Sequence, residues 1–89
     1  MALAERRVEI VNQLGLHARP AAAFVTLAAK FVSEILVIKD DMPVNGKSIL
    51  GMMTLAAEQG SSLTIRAEGH DAEDAVSALT SLVERGFGE

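Results

Sequence analysis

Cysteine is absent from the 89 residues. That excludes a disulfide framework, thiolate nucleophiles and cysteine-type zinc sites. Histidine occurs twice, at His17 and His70. Two separated imidazoles are too few for a dedicated metal centre, so no metal and no cofactor is expected. Tyrosine and tryptophan are missing and only three phenylalanines are present. The core must therefore be built from Ala, Val, Ile, Leu and Met. No apolar run reaches the roughly 18 residues that a membrane span needs. Charges at Glu5, Arg6 and Arg7 break up the opening MALAERRVEI, which leaves no apolar centre for a signal peptide. A soluble, cytoplasmic protein with no membrane insertion is expected. Basic residues are also in short supply, with 8 Lys and Arg against 12 Asp and Glu and a net charge of −4. Such a balance argues against nucleic-acid binding, which calls for a basic face.

What is present is compact. Apolar residues make up 49% of the chain, enough for a globular core and too many for a disordered chain. The length suits one domain, residues 1–89. RRVEIVN alternates and reads as a strand with Val8 and Ile10 inward. ARPAAAFVTLAAKF is rich in helix formers. SEILVIKD reads as a strand that stops at Lys39, Asp40 and Asp41. MPVNG is short, and Pro43 confines it to an edge or a bulge. SILGMMTLAAEQG reads as a second helix, with Ser48 as N-cap and Gly60 as its stop. SLTIRAEG alternates with Leu63, Ile65 and Ala67 inward. DAEDAVSALTSLVERGFG reads as a third helix from the N-cap Asp71, burying Val76, Leu79, Leu82 and Val83 and ending at Arg85 and Gly86. The order β-α-β-β-α-β-α predicts an α+β fold. We expect an open-faced β-sandwich, a four-stranded mainly antiparallel sheet with three helices on one face.

One stretch stands out chemically. In GLHARP, Gly15 permits a turn, and Pro20 suits the first turn of a helix. His17 then falls in the cap position, where Ser, Thr, Asp and Asn are the usual residues. A helix N-terminus offers free amides, here that of Ala18 among them, and the positive end of the helix dipole, a ready phosphate site. Histidine supplies a nucleophilic ring nitrogen, and Arg19 a planar cationic fork suited to phosphate oxygens. These residue types fit a transient phosphohistidine. They fit equally an ordinary surface histidine beside an arginine. His70, next to Asp71, lacks that context and reads as a surface turn residue.

LGLHARPAA, followed by VNGKSILGMMTLAA, closely resembles the HPr family of phosphocarriers in the bacterial phosphoenolpyruvate-dependent sugar phosphotransferase system. The resemblance covers nearly the whole chain. It implies a relay protein and not an enzyme with its own turnover. His17 would be phosphorylated on Nδ1 by enzyme I and would pass the group to an enzyme IIA. It implies that Arg19 stabilises the phosphoryl group and that Pro20 shapes the helix start. It also implies that Ser48 is the target of an HPr kinase/phosphorylase. Leu50 and Met53, three apart in the apolar run Ile49, Leu50, Met52, Met53 and Leu55, match an exposed patch that binds partners. Residue spacing alone equally allows all five to be core. Lys47 is placed to add charge steering.

Departures from the family pattern are visible. Where relatives often carry bases on the first helix, this chain has Thr26, Ala28 and Ala29, with only Lys30 charged. Gly51 stands where a lysine is often found. Fewer positive charges weaken steering toward acidic partners. They leave open a nitrogen-type or purely regulatory HPr-like protein as the alternative. A monomer is expected, because a carrier must show its site to successive partners.

Overall fold

The computed structural model describes residues 2–89, and Met1, the first residue of the expected domain, lies outside them. The chain runs β1 (Leu3–Glu9), α1 (Ala18–Ala28), β2 (Glu34–Lys39), β3 (Met42–Asn45), α2 (Ile49–Thr54), β4 (Ser62–Glu68) and α3 (Ala72–Glu84), then a 3₁₀ turn over Gly86–Gly88. The four strands form one sheet in the order β1-β4-β2-β3. All three pairings are antiparallel. The α+β architecture and element order follow the sequence pattern.

Period-two alternation decides which face is covered. Val8, Ile35, Val37, Leu63, Ile65 and Ala67 point inward and are buried. They join one cluster with Ala21, Phe24 and Ala28 of α1, Met52 of α2, and Ala75, Val76, Leu79 and Val83 of α3. All three helices therefore lie on the same face of the sheet. Leu82, expected in the buried stripe of α3, packs only at its margin. The opposite face is open to solvent. It exposes Leu3 and Leu36 among polar residues and carries the cross-strand ion pair Arg66–Glu5, with Nε 2.9 Å from the carboxylate. Pro43 does sit on an edge strand, opposite Ile38. Asp40 and Asp41 form the two-residue turn before it, both with positive φ, as tight hairpins of this kind require.

Several boundaries differ from expectation, each for a tertiary reason. The strand predicted to run to Asn12 ends at Glu9, because Asn12 is pulled inside and is buried. The first helix ends at Ala28 and not at Phe31. There Lys30 and Phe31 donate to Leu27 and Ala28 and tighten the last turn. The second helix is the largest correction. It stops at Thr54 and not at Gly60. Leu55 caps it, Ala56 turns left-handed with φ of 49°, and Ala57 is buried. This exit frees the Ala57 carbonyl to accept from the Leu16 amide at 2.8 Å. Gly60 instead turns the chain into β4, donating to the Ile10 carbonyl at 2.8 Å. At the end of α3, Arg85 Nε donates to the Ser81 carbonyl at 3.3 Å, and Gly86 takes a positive φ of 66°.

Asp71 occupies the N-cap position of α3, but its side chain does not cap the helix. The carboxylate reaches across to the loop before β2. It accepts from the amides of Val32 at 2.9 Å and Ser33 at 3.0 Å, and from the Ser33 hydroxyl. Gly69 makes room for this contact, since a Cβ there would lie 2.8 Å from the Ser33 Cα. The Ser33 hydroxyl, and with it the two amides and the nearby His70, lowers the Asp71 pKa against a smaller opposing effect of burial. A carboxyl whose pKa is depressed on folding stabilises the fold above its unfolded pKa of about 3.9. That contribution disappears as pH falls through the lower folded value. Asp71→Asn is therefore expected to lower the melting temperature at neutral pH. The gap to wild type should close in acid, read as melting temperature against pH by circular dichroism.

Candidate functional site at the start of the first helix

The loop between β1 and α1 is built around Gly15. Its φ of 69° is left-handed, and a Cβ there would collide with the Ala57 carbonyl oxygen. Only glycine combines that conformation with that approach. Next to it the Leu16 side chain is buried, and its amide bonds Ala57, as above. His17 then stands fixed at the N-cap of α1, with φ −85° and ψ −170° and no side-chain cap bond. Its carbonyl accepts the first helical bond, from Ala21 at 3.0 Å. Helix geometry leaves the amides of Ala18 and Arg19 without intrahelical partners. Pro20 has no amide to satisfy, and it is buried. Arg19 is exposed and makes no ion pair among the described residues.

The imidazole of His17 is 38% exposed. Its Nε2 lies 2.9 Å from Oε2 of Glu89. The other carboxylate oxygen, Oε1, accepts from Asn12 Nδ2 at 2.9 Å. Asn12 Nδ2 also donates to the Gly15 carbonyl at 2.7 Å. Neither Asn12 nor Glu89 could be read from the sequence. Glu89 is 72 residues from His17 and follows the 3₁₀ turn Gly86–Gly88, whose middle residue, Phe87, is left-handed and buried. No periodicity signals such a return. These residues bring together a nucleophilic ring, an unpaired guanidinium and free helix amides. Such a group can receive an anionic phosphoryl unit.

Ser48 sits at the N-cap of α2, as expected, and its Oγ accepts from the Gly51 amide at 3.0 Å. On the helix it caps, Met52 and the following Leu55 are buried. Leu50 and Met53 face out, 78% and 42% exposed. Ile49 is exposed beside them, and Leu14 is exposed in the His17 loop. Lys47 does not extend freely. Its Nζ donates to the Phe31 carbonyl at 2.7 Å. On α1, Ala28 is buried, whereas Thr26, Ala29 and Lys30 are exposed. His70 is an exposed turn residue, as expected. No cluster of metal-ligating side chains occurs among the described residues. No helix is long and apolar enough to cross a membrane.

The family model for the PTS HPr component phosphorylation site matches residues 4–85. Phosphocarrier protein HPr of Neisseria meningitidis serogroup A is 46% identical over 85 residues, covering 96% of both chains. HPr-like protein Crh of Halalkalibacterium halodurans is 46% identical over 83 residues, covering 93% of this chain and 99% of its own. HPr of Thermoanaerobacter tengcongensis superposes with a TM-score of 0.93 at 52% identity over 97% of both chains. A second structure of that HPr, described as a dimer, gives 0.78 at 54% identity over 92% of this chain and 94% of its own. The chain belongs to the HPr phosphocarrier family.

The Ser48 cap has a measurable worth. Ser48→Ala leaves the Gly51 amide without its acceptor, a loss of about 1 kcal/mol. For a domain of this size that corresponds to a fall in melting temperature of roughly 4–8 °C. Thermal unfolding followed by circular dichroism checks it.

Proposed function

We propose that the protein is a phosphoryl relay of the phosphotransferase system, cytoplasmic and without turnover of its own. His17 accepts a phosphoryl group from enzyme I on Nδ1 and delivers it to an enzyme IIA. The observation that carries this reading is the uncapped start of α1, with an accessible imidazole standing where a capping oxygen would normally be. The bound group is met by the Ala18 and Arg19 amides and by the Arg19 guanidinium, while Pro20 holds the geometry of the first turn. The exposed Leu50 and Met53 serve as the docking patch for successive partners. Lys47, tied to the Phe31 carbonyl, lends that patch a fixed positive charge and not a mobile one.

Ser48 is the proposed regulatory site for an HPr kinase/phosphorylase. A phosphate there adds about two negative charges at a helix start, which the helix itself tolerates. Its cost falls on docking, because those charges stand next to Leu50 on a surface that receives acidic partners. A purely regulatory role is the second reading. The close match to an HPr-like protein Crh favours it, and Ser48 alone would then carry the signal. A working monomer is proposed because the relay must face its partners in turn. Size-exclusion chromatography with light scattering decides this against the dimers described for an HPr and for a Crh among the relatives.

Incubation with phosphoenolpyruvate, magnesium and enzyme I should add one phosphoryl group, labile in acid and stable in base. His17→Ala should take up none, and Arg19→Ala should be labelled on the order of 10²-fold more slowly. Absence of label on wild type, with the same enzyme I active on another carrier, would remove the relay reading and leave the regulatory one.

The switch at Ser48 has its own check. Ser48→Asp should slow transfer from enzyme I, while Ser48→Ala, although less stable, should not. Equal transfer rates for wild type and Ser48→Asp would refute the electrostatic switch.

A further inference from the structure

We propose that Glu89, anchored by Asn12, is a positioning residue for His17 that holds the neutral ring in its Nε2–H form and keeps Nδ1 free as the nucleophile. The proposal rests on the reading of His17 as the phosphoryl acceptor and extends it to two residues outside the motif. Its basis is a chain of three hydrogen bonds. Asn12 Nδ2 donates to the Gly15 carbonyl at 2.7 Å and to Glu89 Oε1 at 2.9 Å, and Glu89 Oε2 lies 2.9 Å from His17 Nε2.

A carboxylate only accepts hydrogen bonds. The ring nitrogen facing it must therefore carry the hydrogen, and in a neutral imidazole the other nitrogen then holds a lone pair. Asn12 cannot be turned to present its oxygen without losing the Gly15 carbonyl. It is buried, and its Oδ1 has no partner in the protein. The amide thus has one orientation, it fixes the carboxylate, and the carboxylate fixes the ring.

The chemistry of transfer gives this arrangement two uses. The Nδ1 lone pair attacks phosphorus, and the bond from phosphorus to the donor breaks, its electron pair leaving with the donor. No proton has to be removed from Nδ1 first. The ring, now bonded at Nδ1 to phosphorus and at Nε2 to hydrogen, carries a positive charge, and that charge faces the Glu89 carboxylate. The same contact that orients the nucleophile stabilises the phosphorylated ring.

Glutamine at position 89 supplies a sharp test, because it has the same shape and the wrong polarity. Its carbonyl oxygen would be claimed by Asn12, which turns its NH₂ toward the ring. Nε2 must then accept, and the proton moves to Nδ1. Wild type, Glu89→Ala and Glu89→Gln are compared by long-range ¹H–¹⁵N spectra of the His17 ring at about pH 9, where imidazoles are neutral. Rates of labelling by enzyme I are measured alongside. Wild type should show Nδ1 as the unprotonated nitrogen. Glu89→Ala should lose that bias and be labelled about tenfold more slowly. Glu89→Gln should show a larger Nδ1–H population and be slower than Glu89→Ala. The Glu89 side chain is 26% exposed and lies outside the core, so all three are expected to keep the wild-type backbone amide spectrum except around Asn12, Gly15 and His17. Wild-type ring shifts in Glu89→Gln, or labelling of Glu89→Gln as fast as Glu89→Ala or faster, overturns the proposal. A wild-type protein that enzyme I never labels would instead count against the relay, and the ring spectra would still judge Glu89.

Discussion

The bare Cα of Gly15 packed on the Ala57 carbonyl is the contact on which the site depends. It joins the loop before α1 to the segment after α2, and the Leu16 amide locks the join with a 2.8 Å bond to the same oxygen. Two features follow from it. The second helix has to end early, because residues 55–57 cannot continue a helix and also offer this carbonyl sideways. His17 has to stand at the head of α1, because the chain on its amino side is held on both flanks. A side chain at position 15 would push the two segments apart and carry the histidine with them.

The three helix starts solve the same problem in three ways. Each leaves amides that need an acceptor. The start of α2 is closed by Ser48, whose hydroxyl takes the Gly51 amide. At α3, Asp71 turns its carboxylate away to bind the loop at Val32 and Ser33, so one side chain fastens a distant segment and leaves its own helix uncapped. The start of α1 is headed by an imidazole that is engaged with Glu89 instead. Of the two starts left without a capping oxygen, that of α1 also bears the free guanidinium of Arg19. An acceptor supplied from outside the chain fits that position best.

The sequence discloses these features unevenly. Alternation in SLTIRAEG places Leu63, Ile65 and Ala67 correctly, because a sheet with one wet face writes its burial directly into every second residue. GLHARP and the Ser48 cap are equally readable, since local backbone rules govern helix starts. The length of α2 is not readable. MMTLAAEQG has good helix formers, and only the tertiary demand on Ala57 breaks the helix. Asp71 looks like a cap by position, and its diversion to Ser33 depends on Gly69 bringing two loops together. Glu89 and Asn12 lie outside any periodic element, and their meeting with His17 is a property of the folded chain alone. Lys47 reads as an exposed charge, yet Phe31 holds it.

The strand order has a consequence for how the chain is made. The sheet is β1-β4-β2-β3, so β4 is the partner of both β1 and β2. The β1 residue Leu3 pairs with Glu68, and Glu34 of β2 pairs with the same residue from the other side. Only the β2–β3 hairpin closes over a short loop. During synthesis the amino-terminal strand therefore waits, unpaired, until residues 62–68 have emerged, and the cost of closing that long loop falls on a late step. The histidine loop, whose geometry needs Ala57 and whose carboxylate partner is residue 89, takes its final form only once both of those distant positions have joined the fold.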